Sequence, residues 1–277
     1  MRTTLALCLL LSLPGIAMAD EDHCKASAPR DLKLDLAGVK RVLFEVNSHD
    51  LHLQGTAGAA GQASGRACAS NPEILKQLTL TQRKVGDQLV VTLARENSGW
   101  NLSFGNSYGY LDVRASVPDS LPVRLEVGSG DVEASKLASL ELATGSGDVK
   151  GRDIKGAVTA KVGSGDVSLE RIGSLKVSSI GSGDFTARRI GGAGVDVGTV
   201  GSGDLELDDV QGTVRIGVIG SGDVDVSNVK GSVNVESIGS GDLGVRDVAG
   251  DLTVSRKGSG GINHSGVRGR IAVPKED

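Results

Sequence analysis

Seven aspartates recur at one place in a repeated tetrapeptide, and their type and spacing are the chain's first candidate for chemistry. Gly-Ser-Gly-Asp starts at positions 128, 145, 163, 181, 201, 220 and 239, and a degenerate Gly-Ser-Gly-Gly follows at 258. The carboxylates are Asp131, Asp148, Asp166, Asp184, Asp204, Asp223 and Asp242. If the repeats stack, these side chains form one file with neighbours about 4.8 Å apart. Such neighbours repel by roughly 1 kcal/mol in bulk water and about 3–4 kcal/mol at an effective dielectric near 20. Backbone amides, bound cations, or free exposure to screening solvent would each relieve that repulsion. A calcium-binding rod is one alternative, because two half-coils per repeat resemble the outline of the Gly-Gly-x-Gly-x-Asp β-roll. In that design both corners carry ligands. Here the opposite corner reads Ile154-Lys-Gly, Ile190-Gly-Gly, Val210-Gln-Gly, Val229-Lys-Gly and Val248-Ala-Gly, with no carboxylate in register.

The other chemical signals are weaker. Gly105-Asn-Ser-Tyr-Gly109 matches a nucleophile elbow by letter, but that motif works only between a strand and a helix of an α/β sheet. Strand-like text follows it, so a hairpin turn is the expectation. His49 and His52 are three apart on an expected strand and point to opposite faces. They, His23 and His264 are expected at the surface. A carbohydrate-active β-helix enzyme would need acids clustered on one face of the rod. The outward charges Lys150, Glu170, Glu206, Asp225 and Arg246 read as scattered. No catalytic residue, metal ligand or cofactor is assigned from these signals.

The elements that must position these residues follow from the period. The tetrapeptides are 17 to 20 residues apart, too short for independent domains and right for the coils of a solenoid. In the coil after Asp166, Val167 and Leu169 share one strand face, Ile172 precedes a Gly-Ser corner, and Leu175, Val177 and Ile180 follow. The same skeleton returns at Leu205, Leu207, Val210, Val214, Ile216 and Ile219. Each coil is thus two short strands and two corners, stable only when stacking buries its aliphatic side. No proline occurs between Val123 and Val273, as ladder hydrogen bonding requires. The tetrapeptide glycines are expected to supply positive φ at a tight corner. The fold class is all-β: a single-stranded β-solenoid, a parallel β-helix expected to be right-handed, with about 18–19 residues per coil and an N-terminal β-rich cap or insertion.

Four segments are expected. Residues 1–19 read as an export signal, with Arg2, an apolar run to Leu13 and the small-residue site Ala17-Met-Ala19. The run is too short for a membrane span. Residues 20–121 hold a worn first coil, in which Asn47-Ser-His-Asp50 stands for the tetrapeptide, and a β-hairpin insertion. Within it, Leu78 to Arg83 pairs with Gln88 to Arg95, and Trp100 to Phe104 with Tyr110 to Val117. Residues 122–273 are the repeat solenoid and 274–277 a tail. Cys24 and Cys68, an even pair in an exported chain, are expected to form a disulfide. Five of the six aromatics fall between 44 and 110. Trp100, Tyr108 and Tyr110 are therefore the candidate partner-binding residues, against the alternative that they only close the solenoid's end.

Lys and Arg number 30 and Asp and Glu 34, a formal net charge of −4. The lack of a basic stripe and of an aromatic platform along the repeats argues against nucleic acid and against adsorption to anionic lipid. The tetrapeptide array, preceded by Tyr110-Leu-Asp-Val-Arg-Ala-Ser-Val-Pro118 and Val123-Arg-Leu-Glu-Val127, resembles the bacterial exported β-strand-repeat proteins labelled adhesins or autotransporter-adhesin head domains. That resemblance, over about residues 31–273, implies a β-solenoid at the envelope or outside the cell and no catalytic residues to carry over. The expected function is a non-enzymatic, exported scaffold or binding module, adhesin-like, periplasmic or secreted. Its partner would be an envelope or extracellular protein or polysaccharide.

Overall fold

Alternating aliphatic residues bring the chain together as two long β-sheets wound around one column of side chains. The computed structural model describes residues 24–96, 107–192 and 194–274; the export segment 1–19 and the expected Trp100–Phe104 strand lie outside them. In chain order the N-terminal elements are β1 (Ala26–Lys33), β2 (Arg41–Glu45), β3 (Asp50–Thr56), β4 (Gln62–Ala69), α1 (Pro72–Gln77), β5 (Leu78–Val85), β6 (Gln88–Arg95), β7 (Gly109–Pro118), β8 (Val123–Val127) and β9 (Val132–Ser135). Then come β10 (Leu140–Thr144), β11 (Val149–Val162) and β12 (Val167–Ile180), followed by paired six-residue strands up to Leu252–Lys257. The helix is short, six residues, and capped by Asn71, whose side chain accepts from the Ile74 amide at 2.9 Å.

One sheet runs β1, β4, β7, β3, β9, then the first halves of β11 and β12 and every second strand above them. The other runs β5, β6, β2, β8, β10, then the second halves of β11 and β12 and the alternate strands above. Coil-to-coil pairing is parallel, and about eight repeat coils stack in register. The inward residues Val167, Leu169, Ile172, Leu175, Val177 and Ile180 are each at most 3% exposed, and the same six places are buried in the coils above, except at the sixth place of the coil from Leu243, where Lys257 is part-exposed.

The lower end departs from a simple winding. The β2–β3 coil is written first, yet it sits between the β6–β7 coil below and the β8–β9 coil above. The segment read as an insertion therefore supplies the floor beneath the first-written coil. Tyr110 to Val117 pairs with β3 and β4. Antiparallel β5 and β4 then cover the open edges of β6 and β7, and β1 covers β4. This is how the lower end of the stack avoids presenting parallel edge strands.

Two corners explain the repeat. None of the tetrapeptide glycines has positive φ, which corrects the expected reason for them. Their reason is close approach. A Cβ at Gly147, Gly165, Gly183, Gly203, Gly222 or Gly241 would overlap the carbonyl oxygen of the equivalent glycine one coil below. The Gly130 position meets the His49 carbonyl in the same way. The positive φ lies elsewhere, in a file of non-glycine residues: Lys136, Asp153, Arg171, Arg189, Asp209, Asn228 and Asp247, all between 54° and 58°. Each stands just before the third inward residue of its strand, so it is the kink that turns an alternating pattern into inward places 1, 3 and 6. The two coils with 18-residue spacing pass the second corner inside continuous strands, β11 and β12. The extra residues of the longest coil are taken up around Gly192 and Gly194, both at positive φ.

Because the third tetrapeptide position is stacked backbone on backbone, Gly203→Ala should cost about 1–3 kcal/mol of stability. Ser202→Ala, at the exposed neighbouring position, should be close to neutral. Urea denaturation of the two variants decides this; equal midpoints would contradict the stacking.

Candidate functional site

The aspartate file stands on the outer face of the first sheet, along the corner edge. Each carboxylate accepts from the backbone N–H of the aspartate one coil above. Asp148 N donates to Asp131 Oδ1 (3.3 Å), Asp166 N to Asp148 Oδ1 (2.9 Å) and Asp184 N to Asp166 Oδ1 (2.9 Å). Asp204 N donates to Asp184 Oδ1 (3.2 Å), Asp223 N to Asp204 Oδ1 (2.8 Å) and Asp242 N to Asp223 Oδ1 (2.8 Å). The ladder starts on Asp50, which accepts from Asp131 N at 3.2 Å, and ends where Gly261 N donates to Asp242 Oδ1 at 2.6 Å. A carboxylate on a backbone N–H makes a charge-assisted hydrogen bond, which offsets repulsion along the file. Among the described residues no three His, Cys, Asp or Glu side chains converge as a metal site requires.

Beside the lower part of this file lies a cleft of about 620 Å³. It crosses six strands of the first sheet. One row of register partners is Ser64, Arg114, His52, Glu133, Lys150 and Ser168. The adjoining row is Gln62, Ser116, Gln54, Ser135, Arg152 and Glu170. Strand alternation turns all twelve side chains outward, and the threaded β2–β3 coil puts His52 and Gln54 between residues more than 60 positions away in sequence. Lys150 and Glu170, read as scattered charges, thus meet in one cleft with residues from the N-terminal floors.

Its charges are unevenly partnered. His52 sits between two carboxylates, with Nδ1 3.4 Å from Glu133 Oε2 and Nε2 3.6 Å from Asp112 Oδ1. Glu170 is drawn to Arg171 (2.7 Å) and to Arg189. Glu170 is thus engaged by two arginines, while Glu133 faces the His52 ring, which pairs with it as a cation only when protonated. Arg114, Lys150 and Arg152 have no ion-pair partner among the described residues, although Lys150 is the register partner of Glu133 and Arg152 of Glu170. The cleft can offer cations, amides and hydroxyls to a ligand; it holds no free acid beside a nucleophile.

The aromatic candidates are at the same end. The Lys25 amide donates to the Tyr108 hydroxyl (3.3 Å), and the Tyr110 hydroxyl is 3.9 Å from Cys24 Sγ. Cys24 and Cys68 form a disulfide that ties the start of β1 to β4. Tyr110 is 40% exposed and leaves β7 on the same face as Arg114. Trp100 lies outside the described residues, as do Gly105 and Asn106 of the elbow-like motif.

His49 is not a surface residue: it is 2% exposed. It occupies the inward place that glycine takes in every later tetrapeptide, at the floor where the stack is made of non-consecutive coils. Its Nδ1 accepts from the Leu111 amide at 3.3 Å, and Nε2 has no partner. Burial pushes its pKa below the ordinary histidine value, against a smaller opposing pull from Asp50. The sequence signal was available: His49 aligns with Gly130, an inward position.

A model of the Toastrack DUF4097 family matches residues 39–172 and 155–265, so this chain belongs to that family. No curated protein matches it. Among solved structures, the chain is similar to a "putative lipid binding protein" from Parabacteroides distasonis (20% identity, TM-score 0.54, 87% of this chain and 97% of that one). It is also similar to a "putative adhesin" from Bacteroides fragilis (14% identity, TM-score 0.42, 90% and 97%). A third is a "putative cell adhesion protein" from Clostridium sporogenes (12% identity, TM-score 0.37, 88% and 100%). At these identities the first likeness speaks for the fold and the other two carry no argument.

The buried histidine and the aspartate ladder each generate a prediction. A depressed folded pKa means that His49 costs nothing above the unfolded value near 6.5. Below it the unfolded chain takes up a proton that the folded one resists, so stability falls as pH drops toward the folded pKa. Denaturation between pH 7.5 and 5.5 should show this loss in the parent and a smaller one in His49→Asn; parallel curves would contradict it. Asp204→Ala should cost about 0.5–1.5 kcal/mol by orphaning the Asp223 amide, with Asp204→Asn recovering much of it. Denaturation midpoints that rank the two the other way would contradict the ladder's role.

Proposed function

We propose that this DUF4097 chain is an exported, non-enzymatic, adhesin-like binding module of the cell envelope, periplasmic or secreted. Residues 1–19 would direct export, 20–121 supply the lower floors and cap, 122–273 form the repeat column and 274–277 a tail. The cleft across β4, β7, β3, β9, β11 and β12 is where the partner is gripped, with Tyr108 and Tyr110 at the far end of the same face. The observation that carries this reading is the cleft's pattern of partnering: Glu133 and Glu170 have side-chain partners, whereas Arg114, Lys150 and Arg152 make no ion pair among the described residues. A catalytic groove needs the opposite, an acid or base available to the ligand. A rigid sheet carrying convergent polar side chains in a concavity is what a binding site needs. The family membership and the solenoid fold agree with a scaffold that presents a surface. Among the described residues no helix is long and apolar enough to cross a membrane.

The test is binding of the labelled mature protein to envelope preparations. Saturable binding is expected, weakened about tenfold or more by Ser135→Trp, which fills the cleft at its centre, a loss of about 1.4 kcal/mol. Tyr110→Ala should weaken it less. Absence of saturable binding, or binding that Ser135→Trp leaves unchanged, would defeat the reading.

A further inference from the structure

The geometry points to a linear polysaccharide bearing carboxylates as the ligand of this cleft, laid along the solenoid axis. The inference rests on the binding reading above and names the chemistry of its partner. It starts from a contrast on one sheet face. In the upper coils the outward arginines are neutralised by the protein itself: Arg188 pairs with Glu206 at 2.9 Å and Arg246 with Asp225 at 3.5 Å. In the cleft Arg114, Lys150 and Arg152 are not, because Glu133 turns to His52 and Glu170 to Arg171 and Arg189. A guanidinium left open in a concavity is a fork for a carboxylate.

The second argument is spacing. Arg114 lies on β7, while Lys150 and Arg152 lie on β11, three strands further along the axis. At about 4.8 Å per strand the two cationic stations are roughly 14 Å apart. A single small anion reaches only one station. An extended polymer with acid groups at intervals reaches both. Between the stations the cleft offers Gln54 and Ser135, with Ser116 beside Arg114 on β7, and all three exchange hydrogen bonds with hydroxyls.

The surroundings narrow the polymer. The file from Asp50 through Asp131 and Asp148 flanks the cleft, so a densely charged polyphosphate chain is repelled along its length. No Phe, Tyr or Trp lines the cleft, so bases find no broad aromatic platform to stack on, and there is no apolar pocket for peptide side chains. Carboxylates set one to a sugar among many hydroxyls fit what remains.

Calorimetric titration of the mature protein with polygalacturonate tests this, beside neutral dextran, dextran sulfate and poly-glutamate. Polygalacturonate should bind and should compete with envelope binding. Arg114→Gln should weaken it about tenfold, the loss expected for one charge-assisted contact, and the double variant Lys150→Gln/Arg152→Gln at least as much. Lys176→Gln, an exposed cation on the other sheet, should leave affinity unchanged; unaltered melting temperatures verify that every variant is folded. Three outcomes would overturn the inference. Dextran sulfate or poly-glutamate could bind as tightly, which makes the site a general polyanion or acidic-peptide site. Lys176→Gln could cost as much as the cleft variants. Envelope binding could persist through the cleft while polygalacturonate neither binds nor competes, which refutes the ligand class and leaves the binding module standing.

Discussion

At the third position of every tetrapeptide, one coil's backbone rests directly on the backbone of the next, with no room for a single methyl group between them. That contact fixes how the floors sit. A coil that slid by one residue would drive a Cβ into a carbonyl and turn its aliphatic side out to water. With register fixed, Val, Leu and Ile at six places per coil stack into a continuous core, and both sheets propagate from the corner. The glycines are there for lack of volume, and the turn itself is made with ordinary φ.

The same registration sets the electrostatics. A file of like charges at strand spacing is costly when its members have no partners. Here each carboxylate is spent on the amide above it, so the file serves as a second ladder beside the backbone one. It ends where Gly261 replaces the eighth aspartate. Opposite charges settle across coils in the same manner, as with Arg171 on Asp153. Exposed pairs of this kind contribute little stability individually; their consequence here is which cations they leave unpaired, and that distinguishes the cleft from the rest of the face.

Much of the solenoid is legible in the sequence, because period, aliphatic spacing and absence of proline all report one repeated unit. The six inward places could be named from Val167 to Ile180 alone. Three features were hidden for physical reasons. The kink at Arg171 or Asp209 carries no glycine, so its left-handed backbone shows only as the break from a two-residue to a three-residue interval. The threading of β2–β3 between β6–β7 and β8–β9 leaves no local mark, since any aliphatic strand pairs with any other. The cleft is invisible for the same reason: Arg114, His52 and Glu133 become neighbours only through that threading. His49 is different, as its alignment with Gly130 marked it as inward and the residue type argued otherwise.

The account therefore turns on the order of the lower floors, which brings residues 52–54, 114–116 and 133–152 onto one face. Thiol pairs report that order directly. Gln54→Cys with Ser135→Cys places the pair on adjacent strands in register, at a separation a disulfide spans. Ser116→Cys with Ser135→Cys places them two strands apart, with β3 between. Under mild oxidation of the folded protein the first pair is predicted to cross-link and the second to stay reduced. Cross-linking of the second pair without the first would mean that the coils stack in sequence order, and the cleft would not exist as described.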